Sequence, residues 1–488
     1  MRATFRRGTP ADTSADTLVV LLFDGESAPA DLDSALGGRL GKLLESGEAK
    51  TANKRTALLH TDGAIAAARV ITVGLGKRED FDSERARNAA AVAYRQAADA
   101  SAQAIAIAVP EGTGQATTGA ALTEGVLLAA YRFDRYKTKA DDDDSQRAEQ
   151  LEIVSNEDIG QAIAESEIIV ACQNAARDLQ NLPSNVLTPA ELADYAIGRA
   201  GEVEALEAEV LELEQLEARQ MGGLLSVAKG SHQQPKLIVL RYDGGGTATL
   251  GLVGKAVTFD TGGISIKPSS KMEEMKFDMS GGAAAIEATV AIAKLGLPVK
   301  LLTVVPAAEN MPSGHATRPG DIVTISNGKT VEINNTDAEG RMILADALVY
   351  AASEGADRII DLATLTGAII VALGSTYAGL FSNDDDLSAA IAAAGDSTGE
   401  LTWRMPLHAD FKELTKGKFA DLTNAASARK ASSAYAASFL EEFVDEKPWA
   451  HLDIAGTAWS QDGRDYVGNG ATGWGVRLLV ELARGMSA

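Results

Sequence analysis

Cysteine is nearly absent from this sequence of 488 residues, in which Cys172 is the one thiol. A single thiol excludes an intrachain disulfide framework and a zinc site built from paired cysteines. Because Cys172 ends an apolar run that begins at residue 168, we interpret it as a packing residue and not as a nucleophile. The scarcity of cysteine indicates a reducing compartment, and we expect the protein to be cytoplasmic.

Histidine is also scarce. The five histidines are scattered along the chain, and no two of them have the HExxH spacing of thermolysin-like zinc sites. Histidine is the most common ligand in hydrolytic zinc sites. Its scarcity therefore argues against a thermolysin-like centre and favours a site built from other side chains.

Basic residues are fewer than acidic residues, and long apolar runs are missing. The chain has 45 Lys and Arg against 68 Asp and Glu, a net charge of −23, which repels nucleic acid and anionic membranes. No run approaches the roughly 18 apolar residues of a membrane span. Arg6 and Arg7 precede a polar stretch and then the apolar run 17–23, which predicts a first strand and not a signal peptide. We expect neither a membrane nor a nucleic acid as partner.

Strand-like and helix-like segments alternate along the chain. Short runs rich in Val, Ile and Leu predict strands, and alanine-rich stretches between them predict helices. This alternation predicts an α/β fold of two domains, each with a central, mostly parallel or mixed sheet flanked by helices. We expect an N-terminal α/β domain at 1–160, a linking helix at 161–182 and a larger C-terminal domain at 183–488.

Two acidic segments have simple structural interpretations. Four consecutive aspartates at 141–144 predict a solvated loop, since neighbouring like charges repel. Residues 202–217 predict a helix, because apolar residues recur at the spacing of one helix face. The residues of that face are Leu206, Val210, Leu213 and Leu216.

Four acids lie among small residues in the second half of the chain, close to apolar strand runs. They are Asp260, Asp278, Asp337 and Glu339. The carboxyl ends of strands are where α/β sheets build their sites, and carboxylates that converge there cannot all stay ionised without a cation. Four carboxylates suit two metal ions about 3.5–4 Å apart that share a water or hydroxide. The alternative, four separate solvated acids, is less consistent with their common position at strand ends.

The segments around these acids resemble the leucyl aminopeptidase family. Residues 335–341, Asn-Thr-Asp-Ala-Glu-Gly-Arg, are similar to the family signature, and the segments 255–267 and 275–282 match at corresponding separations. The runs 176–179 and 470–473 match as well. The resemblance covers the C-terminal domain, which would be a catalytic metallopeptidase domain, whereas the N-terminal third matches only in general layout. One departure is Met342, where leucine is common.

The resemblance implies a set of metal ligands. One divalent ion, Mn²⁺ or Zn²⁺, would be held by Lys255, Asp260, Asp278 and Glu339. The second would be held by Asp260, Asp337 and Glu339, with the main-chain carbonyl of Asp337, so that Asp260 and Glu339 bridge the two ions. A lysine binds metal only as the neutral amine, so metal binding and deprotonation of Lys255 would be coupled. A phosphate-binding loop at Lys255 is the alternative, but Ala256 and Thr249 break that pattern.

The resemblance also implies how a peptide is handled. Lys267 would stabilise the negative charge that develops on the scissile carbonyl oxygen. Arg341 would hold a bicarbonate ion as general base, because a planar guanidinium suits a planar oxyanion. A salt bridge from Arg341 to a ligand carboxylate is the alternative. The pocket for the N-terminal side chain would include Met275, Asn335, Thr364 and Gly367, although a single methionine is more often a core residue.

The expected activity is the release of N-terminal residues, preferentially leucine-like, from peptides. The resemblance further implies a homohexamer. Two other functions stay open: another two-metal hydrolase such as a phosphatase or nuclease, and DNA binding as seen in some bacterial relatives. The net charge argues against both, because the only basic residues that group, even loosely, are Arg55, Arg69, Lys77 and Arg78.

Overall fold

The computed structural model describes residues 1–138, 148–426, 430–463 and 465–487. Contacts divide the chain into two units, Met1–Ala171 with Asp462–Asn469, and Cys172–Gln461 with Gly470–Ala488. The division falls inside a helix, Gly160–Asn181. The domain limits expected from the sequence stay a prediction, and the four aspartates at 141–144 lie outside the described residues.

The first unit is built on a six-stranded sheet with the order β1-β6-β5-β2-β4-β3, counted over the described residues. All neighbouring strands are parallel except β3 and β4. The strands are β1 (Arg2–Arg7), β2 (Thr17–Phe23), β3 (Thr56–His60), β4 (Arg69–Gly76), β5 (Ala104–Ala108) and β6 (Gln150–Ser155). The helices are α1 (Ala30–Ala35), α2 (Arg39–Glu45), α3 (Ser83–Asp99), α4 (Gln115–Ala129) and α5 (Gly160–Asn181), which continues into the second unit.

Strand β2 shows why this sheet needs helices on both faces. Its successive side chains point to opposite faces, and all seven of its residues are buried. Val19 and Leu21 pack into the core that contains α3 and α4. Leu18 and Val20 pack into a second core that contains α1 and α2. A continuous apolar run of this kind is what a parallel sheet covered on both faces requires.

The second unit is built on a mixed sheet of nine strands, again counted over the described part of the chain. Its order is β16-β15-β18-β14-β9-β11-β8-β7, and β10 also pairs with β11. Its strands are β7 (Leu206–Leu211), β8 (Lys236–Asp243), β9 (Thr249–Gly254), β10 (Ala256–Asp260), β11 (Lys300–Asn310), β14 (Arg358–Ala363), β15 (Ala378–Ser382), β16 (Thr402–Arg404) and β18 (Trp449–Asp453). The smaller sheets contain β12 (Ile322–Thr324), β13 (Thr330–Glu332), β17 (Leu422–Thr423), β19 (Trp459–Ser460) and β20 (Gly470–Ala471).

Helices cover the second sheet, and two of them are almost completely buried. In α9 every residue from Ser280 to Ala293 is buried, and α10 is buried along most of its length. The helices of this unit are α6 (Pro189–Ala200), α7 (Leu213–Ala218), α8 (Gly222–Ala228), α9 (Ser280–Lys294), α10 (Gly340–Ser353), α11 (Gly367–Leu373), α12 (Asp385–Thr398), α13 (Ala409–Glu413), α14 (Ser432–Glu441) and α15 (Val476–Ser487). The predicted fold class, two α/β parts with mostly parallel or mixed sheets, is confirmed.

The prediction of one helix at 202–217 is wrong. Residues Leu206–Leu211 form the edge strand β7, which pairs with β8 in antiparallel fashion. Its apolar residues alternate with the exposed Glu207 and Glu209, the period of two that is typical of a half-buried strand. Only Leu213–Ala218 is helical, and the Gln215 side chain accepts a hydrogen bond from the Glu212 amide at its start (2.8 Å).

Among the helices in the described ranges, none has the length and apolar character needed to cross a membrane.

Candidate metal centre and active site

Polar side chains meet at one edge of the second sheet because several of its strands are parallel. Strands β9, β10 and β11 run in the same direction, as do β14 and β9. Lys255 follows β9, Asp260 ends β10, Asn310 ends β11 and Thr364 follows β14. The carboxyl ends of parallel strands therefore place these four residues side by side, as expected for an open α/β sheet.

The signature segment approaches the same edge from the loop before α10. Thr336 fastens this loop to the turn after β10: its hydroxyl donates to the Gly262 carbonyl (2.6 Å) and accepts from the Ser265 amide (2.8 Å). Gly262 has φ +84° and leaves no room for a side chain, because a β-carbon there would lie 2.8 Å from Asp337 Oδ1. Asp337 is thereby held against the end of β10.

Lys255 is a buried member of the site with three hydrogen-bond partners. Its Nζ donates to Asp278 Oδ1 (2.8 Å), Glu339 Oε1 (2.8 Å) and the carbonyl of Thr364 (2.9 Å). Burial disfavours the charged amine, but the carboxylates of Asp278 and Glu339 outweigh this effect and raise the pKa of Lys255. One lysine therefore joins three segments that are far apart in the sequence.

Three carboxylates form a compact cluster beside Lys255. Asp260, Asp337 and Glu339 each present an oxygen atom, and these atoms all lie within 4.8 Å of one another. The ammonium of Lys267 lies among them, 2.6 Å from Asp260 Oδ2 and in contact with Asp337 Oδ1. A cation is thus the natural occupant of the space that these oxygen atoms surround.

The acids titrate differently because their surroundings differ. Burial and the charge of Glu339 raise the pKa of Asp337 to about 6, and the same two causes raise the pKa of Asp260. For Glu339 burial acts in the same direction, but the amines of Lys255 and Lys267 outweigh it and lower the pKa to about 2. Crowded acids of this kind gain stabilisation from a bound cation.

Asp278 lies on the far side of Lys255, in the 3₁₀ helix Met272–Met279. Its Oδ1 accepts hydrogen bonds from Lys255 and from the hydroxyl of Thr364 (2.7 Å). Its Oδ2 is buried and has no hydrogen-bond donor among the described residues. Burial raises the pKa of Asp278 to about 8. A buried carboxylate oxygen without a donor is costly unless it binds something else.

These observations show that the residues fit a divalent metal. The site is rich in carboxylate oxygen, has two amines, Lys255 and Lys267, and includes the unsatisfied buried oxygen of Asp278. Oxygen donors suit hard or borderline ions such as Mn²⁺ and Zn²⁺. Lys267 supplies the positive charge between the acids in this structure.

Arg341 lies in the first turn of α10, close to the cluster but turned away from its carboxylates. It is buried, its Nη1 donates to the Asn424 carbonyl (2.8 Å), and its guanidinium lies over the ring of Tyr435 (5.3 Å). Burial lowers the pKa of Arg341. Within the described part of the chain no ion pair joins Arg341 to a carboxylate, and its Nε has no hydrogen-bond partner. The salt-bridge alternative is therefore not what the structure contains.

The predicted pocket residues lie on three segments, and two of them, Asn335 and Thr364, form hydrogen bonds with proposed metal ligands. Asn335 accepts a hydrogen bond from the Asp337 amide (3.0 Å), so it shapes the signature loop. Thr364 contacts Asp278 and Lys255. Met275 is half-buried, three residues before Asp278, and Gly367 is exposed at the first residue of α11. No hydrogen bond in the described structure joins Met275 or Gly367 to the carboxylates.

Two residues of the site were not identified from the sequence. Asn310 donates to Asp260, and Asp453 at the end of β18 accepts hydrogen bonds from the Thr366 hydroxyl (2.6 Å) and the Leu365 amide (3.2 Å). Asp453 therefore holds the loop that presents Thr364. The available signal was a polar residue at the end of a predicted strand, as at Asp260.

Comparison with protein families and curated relatives gives one consistent result. Residues 174–480 match the catalytic domain of the cytosol aminopeptidase family, and residues 19–140 match the N-terminal domain of that family. A probable cytosol aminopeptidase of Roseiflexus castenholzii is 43% identical over 493 residues, with 99% of each chain covered. One from Solibacter usitatus is 44% identical over 488 residues, again with 99% of each chain covered.

Solved structures agree. The bottromycin maturation enzyme BotP in complex with Mn has a TM-score of 0.87 and 35% identity, covering 97% of this chain and 100% of BotP. A variant of tomato leucine aminopeptidase has a TM-score of 0.88 and 33% identity, covering 99% of this chain and 96% of that one. The resemblance noted in the sequence is confirmed. The chain belongs to the cytosol aminopeptidase family, and it is a metal-dependent aminopeptidase, a hydrolase that removes residues from the N-termini of peptides.

Proposed function

We propose that this aminopeptidase binds two divalent ions, Mn²⁺ or Zn²⁺, through five side chains at the edge of the second sheet. They are Lys255, Asp260, Asp278, Asp337 and Glu339. The observation that carries the proposal is the cluster of three carboxylates whose oxygen atoms lie within 4.8 Å of one another. The unsatisfied oxygen of Asp278 supports a ligand position on the Lys255 side of that cluster.

The two ions would supply a Lewis acid and an activated water. The chain itself supplies the remaining groups. Lys267 lies at the cluster with a raised pKa, because the carboxylates around it outweigh the effect of its burial. In the metal-free site it is therefore charged at neutral pH, and its ammonium can donate a hydrogen bond to an oxygen atom that gains negative charge in the transition state.

We propose that Arg341 holds bicarbonate as the general base. Among the described residues no carboxylate pairs with Arg341 and its Nε has no partner, so this edge of the guanidinium can bind a planar oxyanion while Nη1 stays bonded to Asn424. In buffer depleted of bicarbonate, added bicarbonate should raise kcat of the wild type and leave an Arg341→Met variant unchanged. Equal responses of the two proteins would contradict this role.

We propose a preference for leucine-like N-terminal residues. Met275, Asn335, Thr364 and Gly367 would line the side-chain pocket, and methionine adapts its shape to different apolar groups. Comparing kcat/KM for leucine, glycine and glutamate p-nitroanilides tests this preference. A better rate with glutamate than with leucine would contradict it.

We also propose a homohexamer in the cytosol. The relatives are named cytosol aminopeptidases, and the resemblance of the sequence implies six subunits. Size-exclusion chromatography with light scattering should give six times the mass of one chain. A stable monomer with full activity would contradict the hexamer.

The central test is hydrolysis of leucine p-nitroanilide after removal of metal by chelation. Added Mn²⁺ should restore activity to the wild type and not to an Asp260→Ala variant, because Asp260 would bridge both ions. A matched control is Asp243→Ala, which removes an exposed acid at the end of β8 and should respond like the wild type. A well-folded wild type that stays inactive with every divalent ion would contradict the proposed site.

A further inference from the structure

We propose that Asn310 is a positioning residue of the metal centre, which holds Asp260 and the signature loop in one arrangement. The inference rests on the metal site proposed above and adds a residue outside the ligand set. Asn310 is the last residue of β11 and is 4% exposed. A polar side chain that is buried to this extent must form its hydrogen bonds within the protein.

The backbone of Asn310 fixes the segment directly after Asp260. Its carbonyl accepts hydrogen bonds from the amide (3.0 Å) and the hydroxyl (2.8 Å) of Thr261. The ends of β10 and β11 are therefore fastened together at the residue next to the proposed bridging ligand.

The side chain of Asn310 joins two segments that carry different ligands. Its Nδ2 donates to Asp260 Oδ1 (2.7 Å) and to the Thr336 carbonyl (3.0 Å). Both partners can only accept, so the amide nitrogen must face them. An aspartate has the same shape but no donor, and it would face two acceptors with a negative charge.

The consequence for Asp260 is a fixed orientation of its carboxylate. Oδ1 accepts from Asn310 and from the amide of Gly262 (2.8 Å). Oδ2 is thereby turned toward the ammonium of Lys267 (2.6 Å) and the other acids. Groups that orient metal ligands in this way commonly change metal affinity by about 10- to 100-fold when removed.

The hydrogen bond from Asn310 to Thr336 also fixes the position of the signature loop. Thr336 directly precedes Asp337, and its carbonyl is buried in the turn that the loop forms with Gly262. Loss of Asn310 leaves two buried acceptors without this donor, and the loop and Asp260 can then shift independently. We therefore expect the metal site to loosen while β11 stays in the sheet.

The test measures Mn²⁺ binding to the full-length, metal-free protein by titration calorimetry. Asn310→Ala should weaken Mn²⁺ binding by about 10- to 100-fold, and Asn310→Asp, which keeps the volume, should weaken it as well. The Mn²⁺ concentration that gives half-maximal hydrolysis should rise by a similar factor. If the alanine variant does not fold, the Mn²⁺ affinity of the aspartate variant tests the inference.

Thr303→Val is the matched control. Thr303 is buried on the same strand, seven residues before Asn310, and shares a hydrogen bond with Thr289 (2.5 Å). This variant should lose some thermal stability and keep wild-type Mn²⁺ affinity. Asn310 variants that bind Mn²⁺ within about twofold of the wild type would overturn the inference. A wild type that binds no Mn²⁺ would overturn the metal site, and this inference with it.

Discussion

A β-carbon at Gly340 would lie 2.7 Å from Lys255 Nζ, so the first residue of α10 and the buried lysine are in direct contact. Three hydrogen bonds hold the amine in place, and it cannot yield easily. The contact explains why the residue directly after Glu339 has no side chain.

Replacing Gly340 with alanine should therefore disturb the site more than the fold. We expect Gly340→Ala to displace Lys255 or the start of α10 and to lower kcat/KM for leucine p-nitroanilide at least about tenfold. The control is Gly198→Ala in α6, where a β-carbon would meet no atom within 4 Å. That variant should keep its activity and gain slightly in stability. Wild-type activity in Gly340→Ala would show that the contact is tolerated.

A buried ion pair supports the helix that begins just after Asp278. Glu287 of α9 is fully buried and accepts hydrogen bonds from Tyr195 (2.5 Å) and from Arg199 Nη2 (2.7 Å). Glu287→Ala should destabilise the second unit by about 3–5 kcal/mol, because it leaves a partly buried guanidinium without its main partner. Chemical unfolding of the metal-free protein checks this.

Glu202 provides the comparison for Glu287. It contacts the same guanidinium at 2.6 Å, but its side chain is 45% exposed. Glu202→Ala should cost less than about 1 kcal/mol, as exposed pairs do. Equal losses for the two variants would contradict the assignment of stability to the buried pair.

Cys172 should be inert to thiol reagents in the native protein. Burial, followed by the charge of Glu287, raises the pKa of the thiol to about 12. The thiolate is the reactive form, and its fraction grows only as pH approaches the pKa. Reaction with a maleimide, followed by mass spectrometry, should therefore leave the native chain unlabelled from about pH 7 to about pH 9.

Denaturation should expose the same thiol and give one label per chain, since Cys172 is the single cysteine. Rapid labelling of the native protein at about pH 8 would contradict this prediction. A slow labelling rate that increases with added denaturant would agree with it, because labelling then depends on local unfolding of the surrounding helices.

The sequence predicted the strands of the second sheet well where they are covered on both faces. Strands such as β9 and β14 are short, almost fully buried segments rich in Val, Ile and Leu, and they are too short to show the repeating apolar stripe of an amphipathic helix. Strand β7 lies at an edge, and its acidic residues Glu207 and Glu209 face solvent. The spacing of the apolar residues suggested a helix there, because the partner strand that decides the conformation is not visible in the local sequence.

The ligand set was predicted from motifs, but the residues that orient it were not. Asp260 and Glu339 lie in segments with a recognisable pattern. Asn310 is significant only because β10 and β11 pair in parallel, and Asp453 only because β18 lies next to β14. Neither pairing can be deduced from local sequence, since each depends on which distant strands become neighbours. The roles of the site residues and the domain limits stay predictions until the experiments above are done.

The position of β18 has a consequence for the folding of this enzyme during its synthesis. Among the strands of the main sheet it is the last along the chain, yet it lies between β14 and β15. Until Trp449–Asp453 is synthesised, both neighbours have an unpaired edge that is open to wrong partners. The loop that carries Thr364 also lacks its anchor, Asp453. A nascent chain therefore contains all of its proposed metal ligands before the sheet that positions them can be completed.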